Sequence, residues 1–95
     1  MTRINAAIQL LPLKGSEDKY SVIDKAIKMI SESGLTYKVC PFETVVEGDA
    51  DKVYKIIRRI QDETLLDGCE EVLINVKIHA ANRDLAIEEK VRKYK

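Results

Sequence analysis

A segment near the middle of the chain places a carboxylate among apolar residues. It reads Thr44-Val45-Val46-Glu47-Gly48-Asp49. A carboxylate within a short apolar strand is costly to bury without a partner. We therefore expect Glu47 to reach an exposed rim, to pair with Lys77 or a neighbouring subunit, or to bind a cationic or hydrogen-bond-donating ligand. The residues alone leave these alternatives open.

The other reactive side chains form no catalytic or metal-binding pattern. Cys40 and Cys69 stand apart, with no CxxC pair and no histidine at ligand spacing, which predicts reduced, partly buried thiols. The only histidine, His79, has no evident nucleophile partner and is expected to be structural. A carboxylate pair such as Glu43 and Glu47 stays open as acid and base, because spacing along a strand says little about geometry. We expect no enzyme activity, no metal site and no cofactor.

Composition predicts one globular domain over residues 1–95. Hydrophobic residues make up 45% and charged residues 34%, and 16 basic residues balance 16 acidic ones. This balance gives no electrostatic reason to expect nucleic acid or an anionic membrane as a partner. The longest apolar stretch, residues 6–13, is far shorter than the ~20 residues of a membrane span. The N-terminus lacks signal-peptide architecture, so we expect a cytoplasmic protein.

The first and last strands are predicted from residues that alternate with period two. In the first, one side carries Ile4, Ala6, Ile8 and Leu10, and the other carries Asn5, Ala7, Gln9 and Leu11. In the last, residues 72–80, one side carries Val72, Ile74, Val76 and Ile78, and the other carries Leu73, Asn75, Lys77 and His79. Pro12 and Gly15 are expected to end the first strand. Two shorter strands are predicted at residues 37–41 and 44–48.

Two helices are predicted between these strands from apolar residues at helical spacing. The first starts around Ser16, Glu17 and Asp18 and ends at Gly34, and its apolar stripe is Tyr20, Ile23, Ile27 and Ile30. The second is capped by Asp49 or Asp51 and ends at Gly68, and its stripe is Val53, Ile56, Ile57 and Ile60. A short third helix is expected within residues 84–93. The resulting βαββαβ order predicts an α+β, ferredoxin-like plait with an antiparallel four-stranded sheet and an extra C-terminal helix.

In such a plait both long helices cover one face of the sheet and leave the other face open. The first and last strands are expected to be central, and their open-face side chains mix amide, basic, small and apolar residues. This mixture favours a surface that another subunit covers while leaving a polar-lined pocket. An ordinary half-solvated sheet face is the alternative.

Several segments together resemble a known family. They are Pro12-Leu13-Lys14-Gly15, Ser33-Gly34-Leu35-Thr36-Tyr37, the Thr44 to Asp49 segment, and Leu73-Ile74-Asn75-Val76-Lys77-Ile78. They are similar to the thiamine-binding protein family (the MTH1187/YkoF-like group, UPF0045), with Glu43 standing where that family usually has a small residue. The resemblance implies a ferredoxin-like fold, dimers that pair into tetramers, and binding of thiamine or its hydroxymethylpyrimidine part as a small-molecule ligand.

Strand alternation and the resemblance together predict a ligand site. Its expected residues are Asn5, Gln9, Thr44, Glu47, Asn75 and Lys77. Amide side chains can both donate to and accept from an aminopyrimidine, and a carboxylate can accept from its amino group or offset a thiazolium cation. Phe42 or Tyr37 could lie against a ring of the ligand, although such aromatics are more often packing residues.

Three other functions share this strand order. Acylphosphatases need an arginine in the loop after the first strand, where this chain has Lys14, Gly15 and Ser16. RNA-recognition motifs stack bases on aromatics of the central strands, and the open-face positions here carry none. A small-molecule regulatory or structural oligomer of the ACT-like kind explains the fold equally well and stays open as the alternative.

Overall fold

The computed structural model describes residues 2–15 and 18–94. Its elements in chain order are β1 (Arg3–Lys14), α1 (Lys19–Glu32), β2 (Thr36–Val39), β3 (Thr44–Asp49), α2 (Ala50–Leu66), β4 (Glu71–His79) and α3 (Ile87–Val91), followed by a 3-10 turn at Arg92–Tyr94. This order confirms the predicted α+β plait with an extra C-terminal helix. The predicted strand starts and ends differ from these bounds by one or two residues, and the third helix is shorter than expected.

The sheet has four strands in the order β2-β3-β1-β4, and all neighbouring pairs are antiparallel. The prediction that the first and last strands are both central is therefore wrong: β1 and β3 are central and β4 is an edge strand. The two crossovers account for this order. The β1–α1–β2 crossover leaves a gap between β1 and β2, and β3 fills it. The β3–α2–β4 crossover then places β4 on the free side of β1.

The hydrophobic core lies between the sheet and the two long helices. Its β1 members are the predicted ones, Ile4, Ala6, Ile8 and Leu10. They pack with buried residues of the helices and β3, namely Ala26, Met29, Ile30, Val46, Val53, Ile56 and Ile60. Each valine, leucine, isoleucine or methionine side chain buried in this way contributes roughly 1.5–3 kcal/mol to folding. The same alternation that fills the core leaves the opposite residues of each strand on the open face.

Pro12 lies inside β1, so the prediction that it ends the strand is wrong. The strand runs on to Lys14, with Pro12 opposite Val72 and an irregularity in the register between Pro12 and Lys14. Beyond Ile8, β1 pairs with β4 but no longer with β3. A strand with a neighbour on one side only tolerates proline, because a missing N–H on the free side costs no hydrogen bond of the sheet.

The start of α1 and the ends of both long helices follow the sequence, whereas Asp49 occupies the N-cap position of α2 without making a side-chain capping hydrogen bond. Asp18 is the N-cap of α1, and its carboxylate accepts from the Tyr20 N–H at 3.0 Å. The other two predicted start residues, Ser16 and Glu17, lie outside the described residues. Gly34 and Gly68 follow the two long helices with φ of 83° and 104°, the left-handed conformation predicted for glycine at helix C-termini.

Gly48 is required for a different reason, close packing. It is buried in β3 on the helix side of the sheet, and an added Cβ would lie 2.2 Å from Leu35 Cδ2. Leu35 is itself only 7% exposed. Glycine at position 48 therefore leaves room for the Leu35 side chain, which packs directly against the backbone of β3.

The C-terminal segment, residues 82–94, covers one end of the sheet face that α1 and α2 leave free. The Leu85 N–H donates to the Arg3 carbonyl at 3.1 Å, and the Arg3 N–H donates to Asp84 Oδ1 at 2.7 Å. The Leu85 side chain is 3% exposed. The prediction that this face is open is therefore wrong at one end. In the described ranges no helix has the length and apolar character needed to cross a membrane.

Candidate functional site

The register of the sheet arranges the open face in rows across the strands. Asn5 of β1 lies between Glu47 of β3 and His79 of β4. The next row holds Ala7, between Val45 and Lys77. Cross-strand neighbours on one face have Cβ atoms about 5 Å apart, so side chains within a row touch.

Asn5 is buried, at 4% exposure, by the C-terminal segment. Its Nδ2 donates to the Leu85 carbonyl at 3.3 Å, and its Oδ1 accepts from Lys90 Nζ at 2.6 Å. Both ends of the amide are thus engaged within the chain. The structure places this predicted ligand residue beneath the C-terminal segment, where it holds Lys90 over the sheet.

Glu47 is engaged in the same way. Its Oε1 accepts from the Ile87 N–H at 2.5 Å, at the start of α3, and its Oε2 lies 3.3 Å from the Arg3 guanidinium. Its side chain is 14% exposed. Lys77, which was considered as a partner of Glu47, lies beside Glu43 instead, and Arg3 is the cation beside Glu47. Arg3 compensates the charge of Glu47, as a mostly buried carboxylate requires.

The remaining open-face residues of the predicted site lie further along the sheet. Gln9 and Asn75 are cross-strand neighbours, and Asn75 Nδ2 donates to Gln9 Oε1 at 3.2 Å. Lys77 Nζ lies 3.9 Å from Glu43 Oε1, with 84% of the Lys77 side chain exposed. An ion pair this open and this long contributes little, about 0–1 kcal/mol. The open face therefore carries the Gln9–Asn75 amide pair, with the weak Lys77–Glu43 ion pair beside it.

Thr44 is the one predicted site residue that lies on the other face. It is 7% exposed and shares the buried alternation of β3 with Val46 and Gly48, whereas Glu47 belongs to the opposite set. Residues three apart on a strand point to opposite faces. The structure therefore brings Asn5, Glu47 and Lys77 to one face of the sheet and keeps Thr44 apart from them.

A concavity of about 190 Å³ lies on the open face. Its lining residues are Asn5, Ala6, Ala7, Val45, Lys77, Ile78, His79 and Lys90. The small residues and Val45 form an apolar floor, and basic side chains stand around it. Sequence reasoning placed Asn5 and Lys77 here but missed Lys90, because nothing local in a charged tail indicates where it docks.

A larger cleft of about 390 Å³ lies between the β1–α1 and α2–β4 connections, away from the open face. Its polar side chains include Lys25 and Asp67, which already pair with each other at 3.8 Å. The open-face concavity is the better candidate because basic side chains and, among the described residues, no carboxylate line it, whereas Asp18 and Asp67 line the larger cleft.

Apolar side chains continue the open face beyond the concavity. Leu11 and Leu73 are cross-strand neighbours and are 36% and 47% exposed, and Leu13 is 56% exposed. Neither aromatic residue considered for ring contacts lines the concavity: Tyr37 pairs with Val46 on β3, and Phe42 lies in the β2–β3 connection. Within the described part of the chain, no three metal-binding side chains come together. Cys40 and Cys69 are both free.

Comparison with known proteins assigns the chain to a family. The UPF0045 protein of Clostridium perfringens is 33% identical over 95 residues, which is the full length of both chains. A DUF77 domain of unknown function from Bacillus cereus superposes with a TM-score of 0.92 at 35% identity, covering 99% of this chain and 91% of that one. A candidate thiamine biosynthesis/salvage protein of Thermotoga maritima superposes with a TM-score of 0.89 at 27% identity, covering 98% and 99%.

The family model for thiamine-binding proteins matches residues 6–95, which include β1 from Ala6 onward, both long helices and the C-terminal segment. The match thus spans all of the plait except the first three residues of β1, and it includes every residue that lines the concavity apart from Asn5. The chain belongs to the thiamine-binding protein family.

Proposed function

We propose that this protein binds thiamine or a related pyrimidine–thiazole compound on the open face of its sheet, as a homo-oligomer and without catalysing a reaction on it. The observation that carries the proposal is the concavity at Ala7, on the face left free by α1 and α2. Membership of the thiamine-binding protein family supports this class of ligand.

The chemistry of the face suits a ligand with an apolar ring and polar edges. Ala7 and Val45 give a flat apolar floor for a ring. The amides of the half-buried Gln9 and the exposed Asn75 each have donor and acceptor capacity beyond the single hydrogen bond between them. Glu43, which meets Lys77 at the long distance of 3.9 Å, offers a carboxylate on the same face for the thiazolium cation.

A second copy of the chain would complete the site. Small-molecule pockets usually enclose about 300–1,000 Å³, whereas the concavity of one chain holds about 190 Å³. The exposed apolar residues Leu11, Leu13 and Leu73 flank it on the same ribbon of β1 and β4. Burial of these residues against a partner would both stabilise a dimer and roof the concavity.

The proposal is tested by calorimetric titration of thiamine and hydroxymethylpyrimidine into protein of measured oligomeric mass. Ala7→Leu fills the floor of the concavity without touching the bonds of Asn5 or Glu47, and it should weaken binding at least about tenfold. Ser31→Leu adds similar bulk to an exposed position of α1 and should leave binding unchanged.

Two results would contradict the proposal. Thiamine binding that Ala7→Leu leaves intact would place the site elsewhere. The absence of binding by either compound to a folded oligomer would exclude the thiamine ligand, and the ACT-like regulatory or structural oligomer would then be the better description.

A further inference from the structure

The concavity on the open face is lined by basic groups of two separate elements. Lys77 and His79 stand on the same face of β4, and Lys90 reaches in from α3. No carboxylate lines the concavity in the described part of the chain. Clefts lined by one sign of charge concentrate ions of the opposite sign.

Lys90 is held in place by a neutral partner. Its Nζ lies 2.6 Å from Oδ1 of the buried Asn5, whose Nδ2 is fixed in turn by the Leu85 carbonyl. An amide accepts a hydrogen bond from an ammonium group without cancelling its charge. Through this hydrogen bond, Asn5 positions the Lys90 ammonium group over the sheet near His79, which lies opposite Asn5 on β4.

Two carboxylates of the same sheet face, Glu47 and Glu43, each lie beside a cation. Glu47 lies on the other side of Asn5 and is compensated by Arg3 at 3.3 Å. Glu43 meets Lys77 only at 3.9 Å, with the lysine side chain 84% exposed. Like charges brought together on a sheet repel each other unless a counter-ion lies between them.

We propose that the ligand of this face carries a phosphate-type anionic group, held by Lys77, His79 and Lys90. This inference rests on the proposed function and names the form of the ligand: a phosphorylated one. A thiazolium cation alone would be repelled by the basic end of the face. A phosphorylated ligand would place its phosphate there and its cation toward Glu43, which lies further along the same face.

The test compares thiamine, thiamine monophosphate and inorganic pyrophosphate by calorimetric titration at low and moderate salt. The monophosphate should bind about tenfold or more tightly than thiamine, since hydrogen bonds to a charged group are the strong ones. Lys90→Gln and Lys77→Gln should each remove most of that preference. Lys93→Gln removes the same charge from the C-terminal segment outside the concavity and should keep the preference.

The outcomes separate this inference from the proposed function. Equal binding of thiamine and its monophosphate, or a preference that survives both Lys90→Gln and Lys77→Gln, overturns the anion site and leaves thiamine binding intact. Pyrophosphate binding that requires the two lysines, without binding of thiamine, supports the anion site and overturns the thiamine ligand. No binding of any of the three compounds overturns both.

Discussion

The Glu47 carboxylate accepts a hydrogen bond from the backbone N–H of Ile87 at 2.5 Å, which ties the centre of β3 to the first residue of the C-terminal helix. An acceptor at this position also favours the helix electrostatically, because the N-terminus of a helix carries partial positive charge. The residue that a ligand was expected to engage is therefore a structural anchor. Substitution of Glu47 should therefore alter the concavity indirectly, by loosening α3, even if Glu47 makes no contact with a ligand.

We predict that Glu47→Ala lowers the free energy of unfolding by about 1–3 kcal/mol, because the Ile87 N–H and Arg3 lose their partner. Glu47→Gln keeps an acceptor for the N–H and should cost less. Chemical denaturation measures the stability, and hydrogen exchange of residues 84–94 should show the segment released. Glu43→Ala, which removes only the exposed pair with Lys77, should cost under about 0.5 kcal/mol. Equal costs for the two alanine variants would contradict the anchoring role.

The two asparagines of the predicted site should differ in their contribution to stability. Asn5→Ala leaves the Leu85 carbonyl without its donor and Lys90 without its acceptor, and should cost about 2 kcal/mol. Asn75→Ala removes one exposed hydrogen bond to Gln9 and should change stability by no more than about 0.5 kcal/mol. Thermal unfolding monitored by circular dichroism checks both. If Asn75→Ala lowered the stability as much as Asn5→Ala does, burial would not explain the difference between the two asparagines.

Gly48→Ala should destabilise the fold by about 1–3 kcal/mol through overpacking against Leu35. If the clash is the cause, Leu35→Ala should cost less in the Gly48→Ala background than in the original chain, and a double-mutant cycle of unfolding free energies measures this coupling. Gly34→Ala serves as the control: nothing lies within 4 Å of its added Cβ, and its φ of 83° alone should cost about 1 kcal/mol. Coupling of Gly34→Ala to Leu35→Ala as strong as that of Gly48→Ala would refute the packing explanation.

Leu73→Lys should dissociate the proposed oligomer while the single chain stays folded. It places a charge on the apolar ribbon of β1 and β4, where burial against a second copy would leave that charge unpaired. Light scattering after size exclusion reads the mass, and circular dichroism reads the fold. Leu66→Lys, at an 82% exposed position at the end of α2, should leave the mass unchanged. An unchanged mass for Leu73→Lys would show that the open face is not the interface.

Local alternation in the sequence predicted which side of β1 and of β4 faces the helices. On β4 this holds for Val72, Ile74 and Val76, which pack against the core, whereas Ile78 is 43% exposed. Ile4, Ala6, Ile8 and Leu10 form the core face of β1 as expected, since successive side chains of a strand point to opposite faces whatever the strand pairs with. The same rule, applied strictly, also separates Thr44 from Glu47. Grouping those two in one site followed the family resemblance and not the alternation, and the structure shows them on different faces.

The element order, the plait, the glycine helix ends and the family could all be predicted from the amino-acid sequence, because they depend on local pattern or on chain-wide similarity. The edge position of β4, and the hydrogen bonds by which Asn5 and Glu47 hold the C-terminal segment, depend instead on how distant parts of the chain pack together. Lys90 and Asn5 are 85 residues apart, so their contact depends on how the whole chain packs. No local period encodes such a contact, and the basic concavity that it creates became visible only in the folded chain.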